Sequence, residues 1–277
     1  MTLSGRNNIF KAGFILSVIS LGFFAAGSFF AYPAFPASLA SAAMRSGGIF
    51  QKLTESFTNT NAYAPFLSIL GSVAYSIIGI ALVYFFFEKT RSPEILFIGF
   101  FIISLSIEFT RILIPLRNVF QFPAIYLISA SRLLLFSRHF GFFSLFAASI
   151  FSAGLDEQKQ NNIILILILV ALIIAFNVPI DGLVWDSSLK MLNGYDSMFI
   201  ILEEGIVVII VITFIISARI RDTKDYLFVG IGSFLAITGR DVLLASDTWL
   251  ALIPGLIALI GGTWFICSKL HKIYLWL

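Results

Sequence analysis

Charge is scarce in this chain. Only 12% of its 277 residues are Asp, Glu, Lys or Arg, against 59% that are hydrophobic, and the mean hydropathy is +0.98. A soluble domain carries about twice that share of charge, so an ordinary water-soluble fold is excluded. Cysteine is nearly missing too. Cys267 stands alone, which rules out an internal disulfide and leaves the redox compartment unreadable. Two histidines, His139 and His271, offer little from which to assemble a metal site. Long polar stretches are also absent: the longest, Tyr32 to Asn61, is about 30 residues, short of the ~50 at which domains begin. The net charge of +3 forms no basic patch, so no nucleic-acid partner is expected.

What is present is apolar sequence in long runs. Eight stand out: Ala12–Ala31, Ala64–Phe87, Ile95–Pro115, Val119–Ser137, Ile163–Ile180, Met198–Ala218, Leu227–Ala245 and Trp249–Ser268. Each is near the ~20 residues of a helix crossing a bilayer, where every backbone amide must be paired within its own segment. The alternating ten-residue segments of a membrane β-barrel do not appear. The expected fold is therefore all-α, a polytopic bundle of eight spans, with the lipid bilayer as its first partner.

Orientation follows from the basic residues. Placing the N-terminus inside puts Arg6, Lys11, Lys89, Arg91, Arg138, Lys159, Arg219, Arg221, Lys224, Lys269 and Lys272 on the cytoplasmic side, against Arg45, Lys52, Arg117 and Lys190 outside. That is a positive-inside bias, and it predicts cytoplasmic termini in an inner (plasma) membrane. Arg6 and Lys11 before the first run, with small residues from Ala37 to Ala42 behind it, imitate a signal peptide. The run exceeds a signal core in length, so it reads as an uncleaved anchor, with a cleaved signal and seven spans as the alternative.

The chain also matches itself. Glu94-Ile-Leu-Phe-Ile-Gly-Phe100 lies over Asp225-Tyr-Leu-Phe-Val-Gly-Ile231, and the same displacement puts Phe122-Pro123 on Ile253-Pro254 and Ser137-Arg138 on Ser268-Lys269. Tyr63 and Tyr195 open the second and sixth runs at nearly that spacing. The expectation is a parallel internal repeat of four spans and four. Residues 1–138 form the first half, with an outer loop at 32–62, and residues 162–277 the second. Residues 139–161 link them, and 139–155, rich in Phe, read as an interfacial helix. The alternative is one long tilted helix from Val119 to Leu155.

Charges inside a span are costly and are functional candidates by default. Glu108 and Arg111 fall in the third span, Glu203 and Glu204 in the sixth, Arg240 and Asp241 in the seventh. Glu204 and Arg240 are equally far from the turn at Asp222, about 27 Å at 1.5 Å per residue, and Glu108 is as far from Thr90. All six should share one layer. Spacing of i, i+3 pairs Glu108 with Arg111, and equal depth pairs Glu204 with Arg240. Glu203 and Asp241 are left over, so the layer holds four acids against two arginines. Surplus carboxylate at that depth is the provision expected for proton or cation exchange. Glu108, Glu203, Glu204 and Asp241 are accordingly the candidate ion or substrate sites, with Arg111 and Arg240 as charge partners. Arg132, in the inner half, and Arg138, at the cytoplasmic end of the fourth span, read as anchors or lipid contacts.

Enzyme chemistry finds no constellation. A glutamate-pair protease of the intramembrane CAAX type has an Arg four residues after the second Glu, where Val208 stands. A retinal protein needs a lysine inside its last spans, and Lys269 lies at the very end. No nucleotide fingerprint is present, and no cofactor, metal or enzymatic activity is expected. Two functions remain. One is a carrier or ion-coupled transporter subunit for a small cationic solute. The other is a non-transporting sensor or scaffold module acting through a partner protein, alone or in a homo-oligomer or membrane complex.

Overall fold

The computed structural model describes residues 2–32, 63–90, 92–180, 184–194 and 196–275. The expected outer loop, with Arg45 and Lys52, and also Arg91 and Tyr195 lie outside the described residues. The fold is all-helical, with eight helical segments long and apolar enough to cross a membrane: Leu3–Ala31, Tyr63–Phe87, Pro93–Phe120, Ala124–Ser152, Glu157–Asn177, Met198–Ile220, Asp225–Leu244 and Trp249–Tyr274. They are called the first to eighth spans. Successive spans run up and down, so Leu3 and Tyr274 share one face of the bundle, here the terminal face, and the other is the distal face.

Local chemistry accounts for the ends. The Thr2 side chain accepts a hydrogen bond from Gly5 N–H at 3.2 Å and caps the first helix. Pro93 and Pro123 stand at helix starts, where a missing N–H costs nothing. Gln121 turns left-handed at φ 48° to end the third span. Arg6, buried despite its charge, reaches the carbonyls of Phe87 and Glu88 at 2.6 and 3.0 Å and also that of Thr90. It thereby closes the C-terminal end of the second span with a cation, as the helix dipole favours.

The third span is the axis of the bundle and is not one regular helix. An α-helix, Pro93–Ser104, passes into a 3₁₀ segment, Leu105–Ile112, and back into an α-helix, Leu113–Phe120. Three residues per turn stacks side chains at i and i+3, which sets Glu108 and Arg111 in line. The seventh and eighth spans pack nearly backbone to backbone. A Cβ on Gly262 would lie 2.5 Å from Ala236 N, and one on Gly232 2.7 Å from Gly262 O; small residues at this contact permit the approach.

The fourth span corrects an expectation. It continues unbroken from Ala124 to Ser152, so Arg138 is no helix end and 139–155 is no separate interfacial helix. The reason lies in packing. An interfacial helix keeps a wet face, whereas His139, Gly141, Phe142, Ser144, Leu145, Ala147, Ala148, Phe151 and Ser152 are all buried. Phe151 stacks on Phe97 with centroids 5.3 Å apart, and Phe140 meets Phe100 at 5.4 Å. Arg138 therefore sits midway along its helix, about 21 Å from either end. Arg132 is likewise displaced. It lies about 12 Å from the distal start at Ala124, its guanidinium 5.3 Å from the Phe176 ring centroid, and not in the half that ends at Ser152.

Candidate functional site

The spans bring a set of charged side chains together at one level inside the bundle. Glu108 is fully buried and is shared by two arginines: Arg111 on its own span at 3.5 Å and Arg240 of the seventh span at 3.4 Å. Arg138 of the fourth span is shared by two acids, Glu203 of the sixth at 2.5 Å and Asp241 of the seventh at 3.4 Å. Each half of the layer is thus one charge from neutral, in opposite senses, and Arg240 and Asp241 are adjacent residues joining them. Three carboxylates face three guanidiniums, so the layer is formally neutral.

Secondary contacts hold each guanidinium in place. Arg240 donates to Ser104 Oγ and to the Arg138 carbonyl, both at 3.3 Å, and lies 5.8 Å from the Phe101 ring centroid. Gly141 makes this possible: a Cβ there would collide with Arg240 Nη1 and would stand 2.6 Å from Ser104 Oγ. Arg111 donates to the Ser188 carbonyl. That carbonyl belongs to the short turn between the fifth and sixth spans, where Asp186 accepts from the N–H groups of Ser188 and Lys190 at 3.0 and 2.9 Å. The turn folds over the layer from the distal side, and Ser187 bonds Asp247 at 2.6 Å to fasten it to the end of the seventh span.

The Glu108–Arg111 pair forms as the i, i+3 spacing predicts, but the other partners differ from those expected. Arg240 takes Glu108, not Glu204. Glu203 and Asp241 are partnered, by Arg138, which counting had assigned to the membrane edge. Glu204 makes no ion pair or hydrogen bond among the described residues and is exposed on the outside of the bundle. The expected surplus of two negative charges therefore does not exist within the bundle. Hairpin counting measures height along a helix and carries no azimuth, which is why it could align Glu204 with Arg240 without seeing that they face apart. His139 is a member that sequence reading missed. Its Nδ1 contacts the Leu135 carbonyl at 2.8 Å, and its Nε2 lies 3.8 Å from Glu203.

Satisfaction is incomplete. Arg111 Nε, Arg138 Nε, Arg240 Nη2, His139 Nε2 and Thr110 Oγ1 are buried without a hydrogen-bond partner. Beside Arg111 and Thr110 lies a void of about 10 Å³ that also touches Ser131, room for about one water molecule. A larger cavity lies elsewhere among the described residues. About 520 Å³ opens between one face of the second span (Gly71, Ala74, Tyr75) and one face of the eighth (Thr263, Cys267, His271). Its walls are apolar apart from a few groups. The Tyr75 hydroxyl is buried there without a hydrogen-bond partner, and the Thr263 hydroxyl donates to the Leu259 and Ile260 carbonyls at 2.8 and 3.1 Å.

A second polar group closes the terminal face. Glu94 accepts from Tyr274 and from Ser92, Tyr274 is 2.9 Å from Ser92, and Arg221 is 3.7 Å from Glu94 and 2.9 Å from Tyr226 hydroxyl. Among the described residues no group of three His, Cys, Asp or Glu side chains converges as a metal would need.

These features define a class: a multi-pass helical membrane protein with a buried, charge-balanced ion-pair layer. No protein-family model, curated protein or solved structure matches the chain significantly.

Proposed function

We propose that the protein is a non-transporting membrane module, a sensor or scaffold that acts through a partner. One observation carries this reading. Each acid inside the bundle at the layer is paired with an arginine, and the adjoining void admits about one water. Ion exchange needs a carboxylate that can give up one counterion for another along a wet path. Fixed pairs between four spans instead hold helices in register and keep the fold from sliding. The reading includes no catalytic step and no cofactor.

The carrier reading for a small cationic solute keeps one specific support. Glu203 and Asp241 share a single arginine, and the Asp241 side chain is 33% exposed. Reconstitution separates the two. The module reading expects no proton or cation flux from vesicles holding the wild-type chain. A flux that disappears in Glu203→Gln would overturn it in favour of a carrier.

Two structural proposals accompany the function. The termini lie in the cytoplasm of an inner (plasma) membrane, because taking Arg138 out of the count still leaves the basic excess on the terminal face. The halves arose by parallel duplication, on the shared register of Glu94–Phe100 with Asp225–Ile231.

A further inference from the structure

The sixth span carries two neighbouring glutamates with opposite surroundings. Glu203 points inward to Arg138 at the head of a narrow buried stripe, Val207, Ile210, Phe214 and Ser217. Glu204, about 100° further round the helix, is exposed. It has no hydrogen bond or ion pair among the described residues. Its neighbours on that face, Ile200, Ile201, Val208 and Ile215, are exposed as well, and only 22% of the span's apolar window is buried. Glu204 lies eight residues into the helix that starts at Asp196, about 12 Å from its end. An exposed carboxylate thus stands on an apolar helix face, and a charge that lipid covers is costly and, when kept, paired.

We propose that this face of the sixth span docks a transmembrane helix of a partner protein that bears a lysine or arginine level with Glu204. Charge complementarity specifies the occupant. Gly205, where an added Cβ would meet nothing within 4 Å, lets the incoming backbone approach beside the carboxylate, as small residues do at helix contacts in lipid. The flanking Ile and Val side chains supply packing on either side. A second copy of this chain is a poor occupant: Arg111, Arg138 and Arg240 are committed inside the bundle, and Arg132 is stacked on Phe176. The inference rests on the module reading and deepens it by stating the chemistry of the partner.

The test uses the donor-labelled full chain in phosphatidylcholine vesicles, with acceptor-labelled leucine-rich helical peptides long enough to span them. Three peptides differ at one position, level with Glu204 and about 12 Å from one end: Lys, Leu or Glu. The Lys peptide is expected to associate roughly tenfold more tightly than the Leu peptide. Glu204→Gln removes that preference, Glu204→Lys transfers it to the Glu peptide, and Gly205→Leu weakens association of the Lys peptide without altering charge. Helix content by circular dichroism stays at the wild-type value in each variant. Equal association of all three peptides with the wild type overturns the proposal, as does a preference that survives Glu204→Gln. Energy transfer between copies of the chain that Glu204→Gln abolishes overturns it in favour of self-association. Ion flux measured in the same vesicles keeps the two readings apart: flux defeats the module reading, whereas no flux with no peptide preference defeats the docking alone.

Discussion

The third and sixth spans answer the same problem, charge in a lipid solvent, in opposite ways. The third is buried over 78% of its apolar window and the sixth over 22%. On the third, Glu108 and Arg111 stack along a 3₁₀ turn, and Arg240 and the Ser188 carbonyl supply their further contacts. On the sixth, one glutamate is met by Arg138 and its neighbour by nothing among the described residues. The contrast teaches that depth alone does not say what a membrane charge is for. A charge enclosed by other spans is held by fixed pairs, and one turned outward is the charge for which we propose a partner.

Breaking the enclosed side should cost most. Glu108→Ala strands two buried guanidiniums and is expected to destabilise the fold by about 3–5 kcal/mol, read as a lowered unfolding midpoint in detergent micelles. Adding Arg240→Leu should recover part of that loss, because the second change removes one of the stranded charges; strict additivity would argue against the pairing. Gly141→Ala comes next. Its methyl would displace Arg240 and Ser104, at about 1–3 kcal/mol by the same measurement. Tyr274→Phe deletes the hydroxyl that meets Glu94 and Ser92, and about 1–2 kcal/mol is expected. It should also quicken hydrogen exchange in the last turn of the eighth span before the layer is affected. Glu204→Gln sits at the other end of the scale. Stability of the isolated chain should be unchanged, the usual result for an exposed substitution. A large loss there would remove the distinction between the two spans.

Much of this arrangement was legible beforehand, and particular residues show where legibility stopped. The sixth span was read as Met198–Ala218 and runs Met198–Ile220; the second was read as Ala64–Phe87 and runs Tyr63–Phe87. Arg138 shows the limit. Next to His139, and in register with Lys269, it looked like a membrane edge, because the rule that sorts basic residues by side treats each as solvated. Its two counterions come from spans about 65 and 100 residues away, and no local pattern names them. The Phe, Ser, Gly and Ala alternation after it was the available sign of a helix packed on all sides, and its Phe content was taken for affinity to an interface. Glu203 and Glu204 differ by a rotation that hydropathy does not resolve, although the companions of Glu204 at helical spacing are uniformly Ile and Val.

Composition and periodicity alone determined that the chain forms eight helical segments long and apolar enough to cross a membrane, because apolar run length is a property of the chain itself. Only the tertiary structure decided which charges meet. That choice depends on the rotation of each helix about its axis, on a 3₁₀ segment that brings Glu108 into line with Arg111, and on Gly141 leaving space for the Arg240 guanidinium. Pairing in lipid is a contact between distant segments. Whether the layer holds surplus charge or none follows from the packing that brings Arg138 in and turns Glu204 out.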